Sequence, residues 1–429
     1  MRVDFSTNTR YFFLCFVLVT VLSIFIRFWN YENLLNFHGD PPFFLMEVKD
    51  MLESGKLRII GPIVKSQVVD GRGFFTGPFL YYFLALLGIA TNWNVYIMTG
   101  VFSSLWILAF VAVFIWLKRR FDGLTAMFVY VLLSFFPLFL PQSRSIWNPH
   151  LIPIFGILSF WCLDRRKENI IYYLLTGLFF GLGLNVHFSA VLWIPAYLFI
   201  GFYEITKKQF RFWAWTLFSL GVIAGELPYI IFEFRHNFYN IRTFIFQLQS
   251  GGLIETSRFG SSYYYLYPLL PYAAFFLGYI INKLLHLKRR LLVTVTVYLL
   301  SAYFLILSFG TLGQTPIYPL GLSMSEQKKI VNMIIQDNQT KFEVAETVSG
   351  DTQSTEIRWW LRVAGIKVMN VSEYDNALIL YLIAPESRPP EVEDVWEVRA
   401  FRPFIVDLKK DLGNNIFLYK LKREVRRGE

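Results

Sequence analysis

The sequence predicts an all-α polytopic membrane protein with a small α/β domain at its C-terminal end. The chain has 429 residues, of which 55% are hydrophobic and only 17% are charged, whereas soluble domains carry about 25% charged residues. Apolar runs long enough to cross a bilayer, about 17–25 residues, recur up to residue 310. After Gly310 the composition becomes charged. We therefore expect a membrane region over 1–310 and a soluble domain over 311–429.

Nine membrane spans are predicted. The first is interpreted as an anchor and not as a cleaved signal peptide, because Ile26-Arg27-Phe28-Trp29 stands where a small-residue cleavage site would be needed. The spans lie near residues 11–29, 93–117, 122–141, 147–163, 170–187, 188–204, 212–232, 263–282 and 291–309.

Basic clusters between the spans predict the orientation, since Lys and Arg in short loops mark the cytoplasmic side. With nine spans and a cytoplasmic N-terminus, every cluster falls on that side. The clusters are Lys118-Arg119-Arg120, Arg165-Arg166-Lys167, Lys207-Lys208-Arg211 and Lys283-Lys288-Arg289-Arg290. They also account for the net charge of +10 without nucleic acid as a partner. We expect a multi-pass protein of the cell membrane whose active site is extracytoplasmic.

Three segments are predicted to lie outside: the loop 30–92, the loop 233–262, and everything after 310. The run Pro78–Ala90 has only 13 residues, so it is predicted to be an interfacial or re-entrant helix.

The domain 311–429 is predicted to be α/β, with a structural role in holding an acceptor. Ser323 and Glu326 form a capping box that opens a helix to Gln336. A second helix is expected over 355–364. Strands are expected over 341–348, 366–371, 377–384, 396–401 and 415–420. Cys15 and Cys162 both lie in apolar runs, which excludes a disulfide scaffold.

Polar residues collect at the predicted outer ends of the spans. Asp40 precedes Pro41 in the first loop, so it can be a helix N-cap or a general base facing a lipid-borne substrate, and the two roles can coexist. Arg72 stands between two glycines, which suits either close approach to a phosphate or an ordinary turn. His187 can be a core histidine or a ligand.

Two further segments hold candidate residues. Arg144, Trp147, Asn148 and His150 lie before a short span, where polar groups either line a wet cavity or form an interfacial Trp anchor with a turn. Glu226, Glu233, Arg235 and His236 approach the second outer loop. Their spacing does not match a metal-binding motif, so no cofactor is expected and a divalent metal has little support.

Four motifs together resemble a known family. They are the early Asp40, the run Gly77-Pro78-Phe79-Leu80-Tyr81-Tyr82, the run from Ser143-Arg144 through Trp147-Asn148-Pro149 to Pro153, and Arg119-Arg120-Phe121-Asp122-Gly123. The pattern resembles the bacterial and archaeal family 39 glycosyltransferases of the GT-C superfamily. Their relatives include the protein O-mannosyltransferases and the aminoarabinose–lipid A transferases. The resemblance covers about residues 11–310.

The resemblance implies a polyprenyl- or dolichyl-phosphate sugar as donor and a lipid, glycan or protein as acceptor. Asp40 maps onto the catalytic acid of the family, although Pro41 and Pro42 replace the polar neighbours common in relatives. Asn148 stands where some relatives carry a second acid. Asp40 would remove the proton of an acceptor hydroxyl, with inversion at the anomeric carbon. Candidate groups for the donor phosphate and substrate are Arg72, Arg144, Trp147, Asn148, His150, His187, Glu233, Arg235 and His236.

Three other functions are compatible with parts of the sequence. A polysaccharide polymerase or ligase would use pyrophosphate-linked sugars and a late outer loop. A transporter or flippase would show repeated halves and charged residues at mid-membrane, which the sequence lacks. A non-catalytic scaffold would need Asp40 only as a cap.

Overall fold

The computed structural model describes residues 9–63, 72–249, 263–286, 290–310 and 322–424. Its first part is a bundle of helices. In chain order they are α1 (Thr9–Phe28), α2 (Tyr31–Leu34), α3 (Asp40–Ser54), α4 (Phe79–Thr91), α5 (Val95–Arg120), α6 (Gly123–Ser134), α7 (Phe139–Gln142), α8 (Ile152–Arg165), α9 (Ile171–Val186), α10 (Ile194–Thr206), α11 (Phe212–Arg235), α12 (Tyr239–Gln249), α13 (Leu270–Leu285) and α14 (Arg290–Gly310).

Every predicted span coincides with one of these helices. Among the described residues, four helical segments are long and apolar enough to cross a membrane: Val95–Arg120, Phe188–Thr206, Phe212–Arg235 and Tyr264–Leu285. The span expected over 122–141 ends early, at Ser134, because Pro137 follows two residues after the C-cap Phe135. Short 3-10 turns precede α8, α10 and α13. The helical character of the nine segments is confirmed, while their number as spans and their orientation remain predictions.

Helices α9 and α11 approach each other through glycines. A Cβ atom added at Gly177 would lie 1.9 Å from the carbonyl oxygen of Phe218, and one at Gly221 would lie 2.2 Å from that of Leu174. Gly181 and Gly225 repeat the contact one turn further along. Small residues at this spacing allow two backbones to pack directly, which brings the end of α9 next to α11.

The C-terminal part is a mixed sheet with helices on both faces. Its elements are α15 (Met324–Gln336), β1 (Phe342–Glu346), α16 (Thr355–Val363), β2 (Ile379–Pro385), α17 (Trp396–Phe401), β3 (Phe404–Gly413) and β4 (Ile416–Arg423). The strand order is β1-β2-β4-β3; β1 and β2 are parallel and the other pairs are antiparallel. Helices α15 and α16 cover one face, and α17 covers the other. The capping box of Ser323 and Glu326 is confirmed.

Two predicted strands are wrong. Residues 366–371 form no strand, because they make one backbone bond towards β1, from Met369 N to Phe342 O, and no ladder. Residues 396–401 form α17, which buries Glu397, Val398 and Phe401 at helical spacing. Strand β3 was not predicted; its exposed face carries several charged residues and lacks a simple apolar alternation.

The C-terminal domain packs directly on the first loop. The aromatic ring of Phe37 lies against the rings of Trp359 and Trp360. Arg362 forms ion pairs with Asp50 and Glu53 of α3. Helix α3 is therefore held between the helical bundle and the C-terminal domain.

Candidate active site

Asp40 is the first residue of α3. Gly39 precedes it with φ of +64°, a backbone conformation that glycine adopts without strain. Gly39 is thus the N-cap residue, and the expectation that Asp40 itself fills that position is wrong. The indole Nε1 of Trp147 donates a hydrogen bond of 2.9 Å to Oδ2 of Asp40. One oxygen of the carboxylate is thereby held in a defined place.

Aromatic rings connect Asp40 to His187. The ring of Trp147 packs against that of Tyr264 at 4.7 Å between centroids, and Tyr264 packs against His187 at 5.5 Å. The side-chain amide of Asn148 donates to the carbonyl of Val186 at 2.9 Å. The structure therefore brings four of the predicted residues together: Asp40, Trp147, Asn148 and His187.

His187 also shapes the backbone at this point. Its Nδ1 accepts a hydrogen bond from the backbone N–H of Ser189 at 3.2 Å and lies 2.7 Å from the hydroxyl of Ser189. Since Nδ1 is an acceptor, the neutral ring carries its proton on Nε2. The histidine caps the turn that leads into α10, and its ring remains next to Tyr264 and Tyr265.

A cleft of about 430 Å³ opens along the same face of α3 as Asp40. Phe43 and Glu47 follow Asp40 at the i+3 and i+7 positions, which share one face of a helix, and both line the cleft. Its other polar lining residues are Arg58, Tyr81 and His236. Arg58 forms an ion pair with Glu47. The cleft therefore combines apolar walls with the guanidinium of Arg58 and the imidazole of His236. It borders the α3 face that carries Asp40, while Asp40 itself is not one of its lining residues.

Asp40 is connected electrostatically to that lining. Burial raises the pKa of Tyr81, and the charges of Glu47 and Asp40 raise it further. The guanidinium of Arg58 lies over the ring of the same tyrosine, 5.6 Å from its centroid. Tyr81 is thus coupled electrostatically to the candidate base and packed against the cleft arginine.

Three predicted site residues instead make internal structural contacts. Arg144 donates from Nε to the carbonyl of Arg27 at 3.0 Å and from Nη2 to that of Ile26, so it caps the end of α1. Both ring nitrogens of His150 contact internal carbonyl oxygens, those of Ser145 and of the Gln142 side chain.

Glu233 is the third of these residues. Its carboxylate accepts hydrogen bonds from the backbone of Asn240 and Ile241 and from the Asn240 side chain, at the start of α12. A carboxylate is favourable at a helix N-terminus. Asn240 in turn accepts from the backbone N–H of Phe75, whose ring lines the cleft.

The remaining candidates differ in position. His236 lines the cleft; its ring stacks on Phe232 at 4.2 Å, and its Nδ1 lies 2.9 Å from the Phe232 carbonyl. Arg235 is exposed. Arg72 is exposed and lies over the ring of Phe246 at 4.9 Å. Glu226 accepts from the amide of Asn185 at 3.3 Å.

Sequence reasoning missed Arg58, Tyr81 and Asn185 as parts of the site. Arg58 follows an ordinary helix C-terminus with no motif around it. The side-chain oxygen of Asn185 accepts a hydrogen bond from the backbone N–H of Phe79 at 2.9 Å. The backbone carbonyl of Asn185 accepts one from the N–H of Gly77 at 2.7 Å. The tight contact explains Gly77, since a Cβ there would lie 2.2 Å from the Asn185 side chain. The sequence signal that could have found part of the site is the i+7 spacing of Glu47 from Asp40. Within the described part of the chain, no group of three His, Cys, Asp or Glu residues could hold a metal ion.

The structure was compared with known proteins. It matches the crystal structure of apo ArnT, an aminoarabinose–lipid A transferase, from Cupriavidus metallidurans, with a TM-score of 0.60 and 11% identity over 96% of this chain and 98% of ArnT. The chain has the ArnT fold. ArnT bound to undecaprenyl phosphate matches with a TM-score of 0.55 and 10% identity, again over 96% and 98% of the two chains. The expected likeness in fold to the aminoarabinose–lipid A transferases is thereby confirmed.

The chain is more weakly similar to the archaeal oligosaccharyltransferase AglB from Archaeoglobus fulgidus, whose structure contains an inhibitory peptide and a dolichol-phosphate. Its TM-score is 0.41 and its identity 16%, over 78% of this chain and 40% of AglB. No protein-family model and no curated protein matches the sequence.

Proposed function

We propose that the protein is a glycosyltransferase that moves a sugar from a polyprenyl-phosphate donor to a hydroxyl acceptor, with Asp40 as the general base. The observation that carries the proposal is the placement of Asp40. It is oriented by Trp147 and lies on the helix face that borders a cleft containing Arg58 and His236. ArnT, which has a similar fold, was solved with undecaprenyl phosphate bound, and undecaprenyl phosphate is a polyprenyl phosphate.

The chemistry follows from these groups. The acceptor oxygen forms a bond to the anomeric carbon while the bond from that carbon to the phosphate oxygen breaks. Asp40 takes the hydroxyl proton, and the polyprenyl phosphate leaves as an anion, with inversion at the anomeric carbon. A positioned base of this kind contributes about 10²–10⁴-fold to the rate.

Arg58 supports the leaving phosphate in this proposal. One edge of its guanidinium is paired with Glu47, and a guanidinium has five N–H donors, so others remain for a phosphate. Glu47 orients the arginine, and the apolar walls of the cleft lower the local dielectric, which strengthens its interaction with an anion. Active-site placement on the extracytoplasmic side rests on the predicted orientation.

The test uses full-length protein in lipid nanodiscs with a panel of polyprenyl-phosphate sugars and a membrane extract as the source of acceptor. Release of free polyprenyl phosphate is measured by mass spectrometry. Asp40→Asn is expected to lower the rate by about 10²–10⁴-fold while leaving the thermal unfolding midpoint unchanged. Trp147→Phe removes the N–H that orients the carboxylate while keeping an aromatic ring, though a smaller one, next to Tyr264, and we expect a loss of about tenfold. An Asp40→Asn variant with full activity would refute the role of Asp40 as base.

A further inference from the structure

A buried cluster of titratable groups joins the C-terminal domain to His38, two residues before Asp40. Nδ1 of His38 lies 3.1 Å from Oε1 of Glu356 on α16. The carboxyl of Glu356 interacts electrostatically with that of Glu346, the last residue of β1. His38 is 8% exposed and both glutamates are fully buried. The only residue between His38 and Asp40 is Gly39, so the cluster holds the chain at the very start of α3.

The proton positions in this cluster follow from its contacts. The backbone carbonyl of Leu322 favours a proton on the His38 ring, and with that proton on Nε2 the Nδ1 atom is an acceptor in the neutral ring. Burial, with the charge of Asp351, raises the pKa of Glu356 to about 8. At neutral pH the carboxyl of Glu356 is therefore protonated and donates to Nδ1. Burial, together with the nearby carboxyl of Glu356, also raises the pKa of Glu346.

Charged groups face the cluster from every element packed on it. Glu346 comes from β1, Asp351 from the following turn, Glu356 from α16 and Glu326 from α15. All four bear carboxyl groups. Burial lowers the pKa of His38. A neutral histidine next to a protonated Glu356 is thus the arrangement that avoids buried charge.

We propose that His38, Glu356 and Glu346 form a positioning clamp, through which the C-terminal domain holds the first turn of α3 and thereby the carboxylate of Asp40. The inference rests on the proposed function only in taking Asp40 as the base. The rest of the domain contact supports it: the side-chain amide of Gln327 on α15 donates to the carbonyl of Phe37 at 3.2 Å, and Trp360 donates to Gln327 at 2.9 Å. The C-terminal domain is then part of the catalytic unit.

The test compares three variants of the full-length protein in nanodiscs. Glu356→Ala removes the hydrogen bond to His38. Glu356→Gln keeps an N–H donor for His38 Nδ1 and cannot ionise. Arg362→Gln is the matched control, because it cuts ion pairs between the same domain and the same helix at Asp50 and Glu53, away from Asp40.

The first measurement is amide hydrogen exchange in the segment 37–45, which needs no substrate. Glu356→Ala is expected to lower protection there by about tenfold, while Glu356→Gln and Arg362→Gln leave it unchanged. Above pH 8 the wild-type segment loses protection beyond the intrinsic pH effect, and Glu356→Gln does not. In the transfer assay, Glu356→Ala is expected to lower kcat by about 10–100-fold with little change in KM.

Unchanged exchange in Glu356→Ala would overturn the clamp. If that variant does not assemble, identical pH profiles of exchange for wild type and Glu356→Gln would overturn it equally. A fully active Asp40→Asn variant would refute the proposed base, whereas the exchange data would still decide whether the clamp exists.

Discussion

Arg144, which caps α1, and Arg58, which lines the cleft beside α3, differ in what their guanidinium groups contact. Arg144 is buried, and its guanidinium caps the last carbonyls of α1. Arg58 lines the cleft, with one side paired to Glu47 and its face on Tyr81. Their side chains have the same charge, yet only Arg58 offers donors to a ligand in the cleft. Because the guanidinium of Arg144 is bonded to the end of α1, the role of Arg144 is structural.

Because of this difference, we expect a substitution at Arg58 to change lipid binding and a substitution at Arg144 to change the stability of the fold. Arg58→Gln is expected to weaken the binding of polyprenyl phosphate by about tenfold, because a charge-assisted hydrogen bond is lost, with little effect on unfolding. Arg144→Gln is expected to lower the free energy of unfolding by about 1–3 kcal/mol and to leave the affinity unchanged. Lipid binding by native mass spectrometry and thermal unfolding measure the two effects. The reverse pattern would assign the phosphate to Arg144.

At the level of elements, the pairing of α9 with α11 determines where His187 and Asn185 lie. Both residues stand at the end of α9, and Gly177 and Gly221 allow the two backbones to touch. Direct backbone contact leaves no room for a side chain at the crossing. A shift of α9 would move His187 away from Tyr264 and Asn185 away from the chain at Gly77.

We expect Gly221→Ala to be destabilising by about 1–3 kcal/mol, since overpacking forces backbone shifts. Gly100→Ala in α5 is the control: a Cβ there meets only Phe28, at an ordinary 3.6 Å. The thermal unfolding midpoint of both variants in detergent is the measurement. A Gly221→Ala protein as stable as the Gly100→Ala protein would show that the crossing is looser than the structure indicates.

At the level of the whole molecule, the contact between the C-terminal domain and the first loop depends on the protonation state of Glu356. The folded protein keeps a proton on Glu356 up to pH about 8, whereas an unfolded glutamate releases it near pH 4.3. The folded state therefore binds more protons between these values, and its stability falls as the pH rises through that window. His38 acts in the opposite direction only below pH about 6.5, where the unfolded ring takes up a proton.

The window from pH 6.5 to 8 isolates the carboxyl effect. There the wild-type protein is expected to lose about 2 kcal/mol of stability relative to Glu356→Gln, from about 1.4 kcal/mol per pH unit for one proton. Chemical unfolding of both proteins at several pH values, followed by intrinsic tryptophan fluorescence, measures the difference. Parallel stability curves would mean that Glu356 is ionised in the folded state.

The sequence alone was sufficient for a mostly helical chain with a small mixed sheet, for the nine apolar helical segments and for the position of Asp40 after the first of them. Apolar length and basic clusters are local properties, and a membrane leaves few alternatives for an apolar chain. Local patterns also predicted the capping box of Ser323. They failed at residues 396–401, where helical and strand spacing are both possible over six residues.

The partners of each polar side chain could not be predicted in the same way. Arg144 and Arg58 differ in role because one meets the end of α1 and the other a cleft, and His38 is important because Glu356, 318 residues later, is buried against it. Such contacts depend on how distant segments pack, which no local spacing encodes. The sequence therefore predicted which residues could perform the chemistry, and the packing of the C-terminal domain and of α9 on α11 selected which of them lie together.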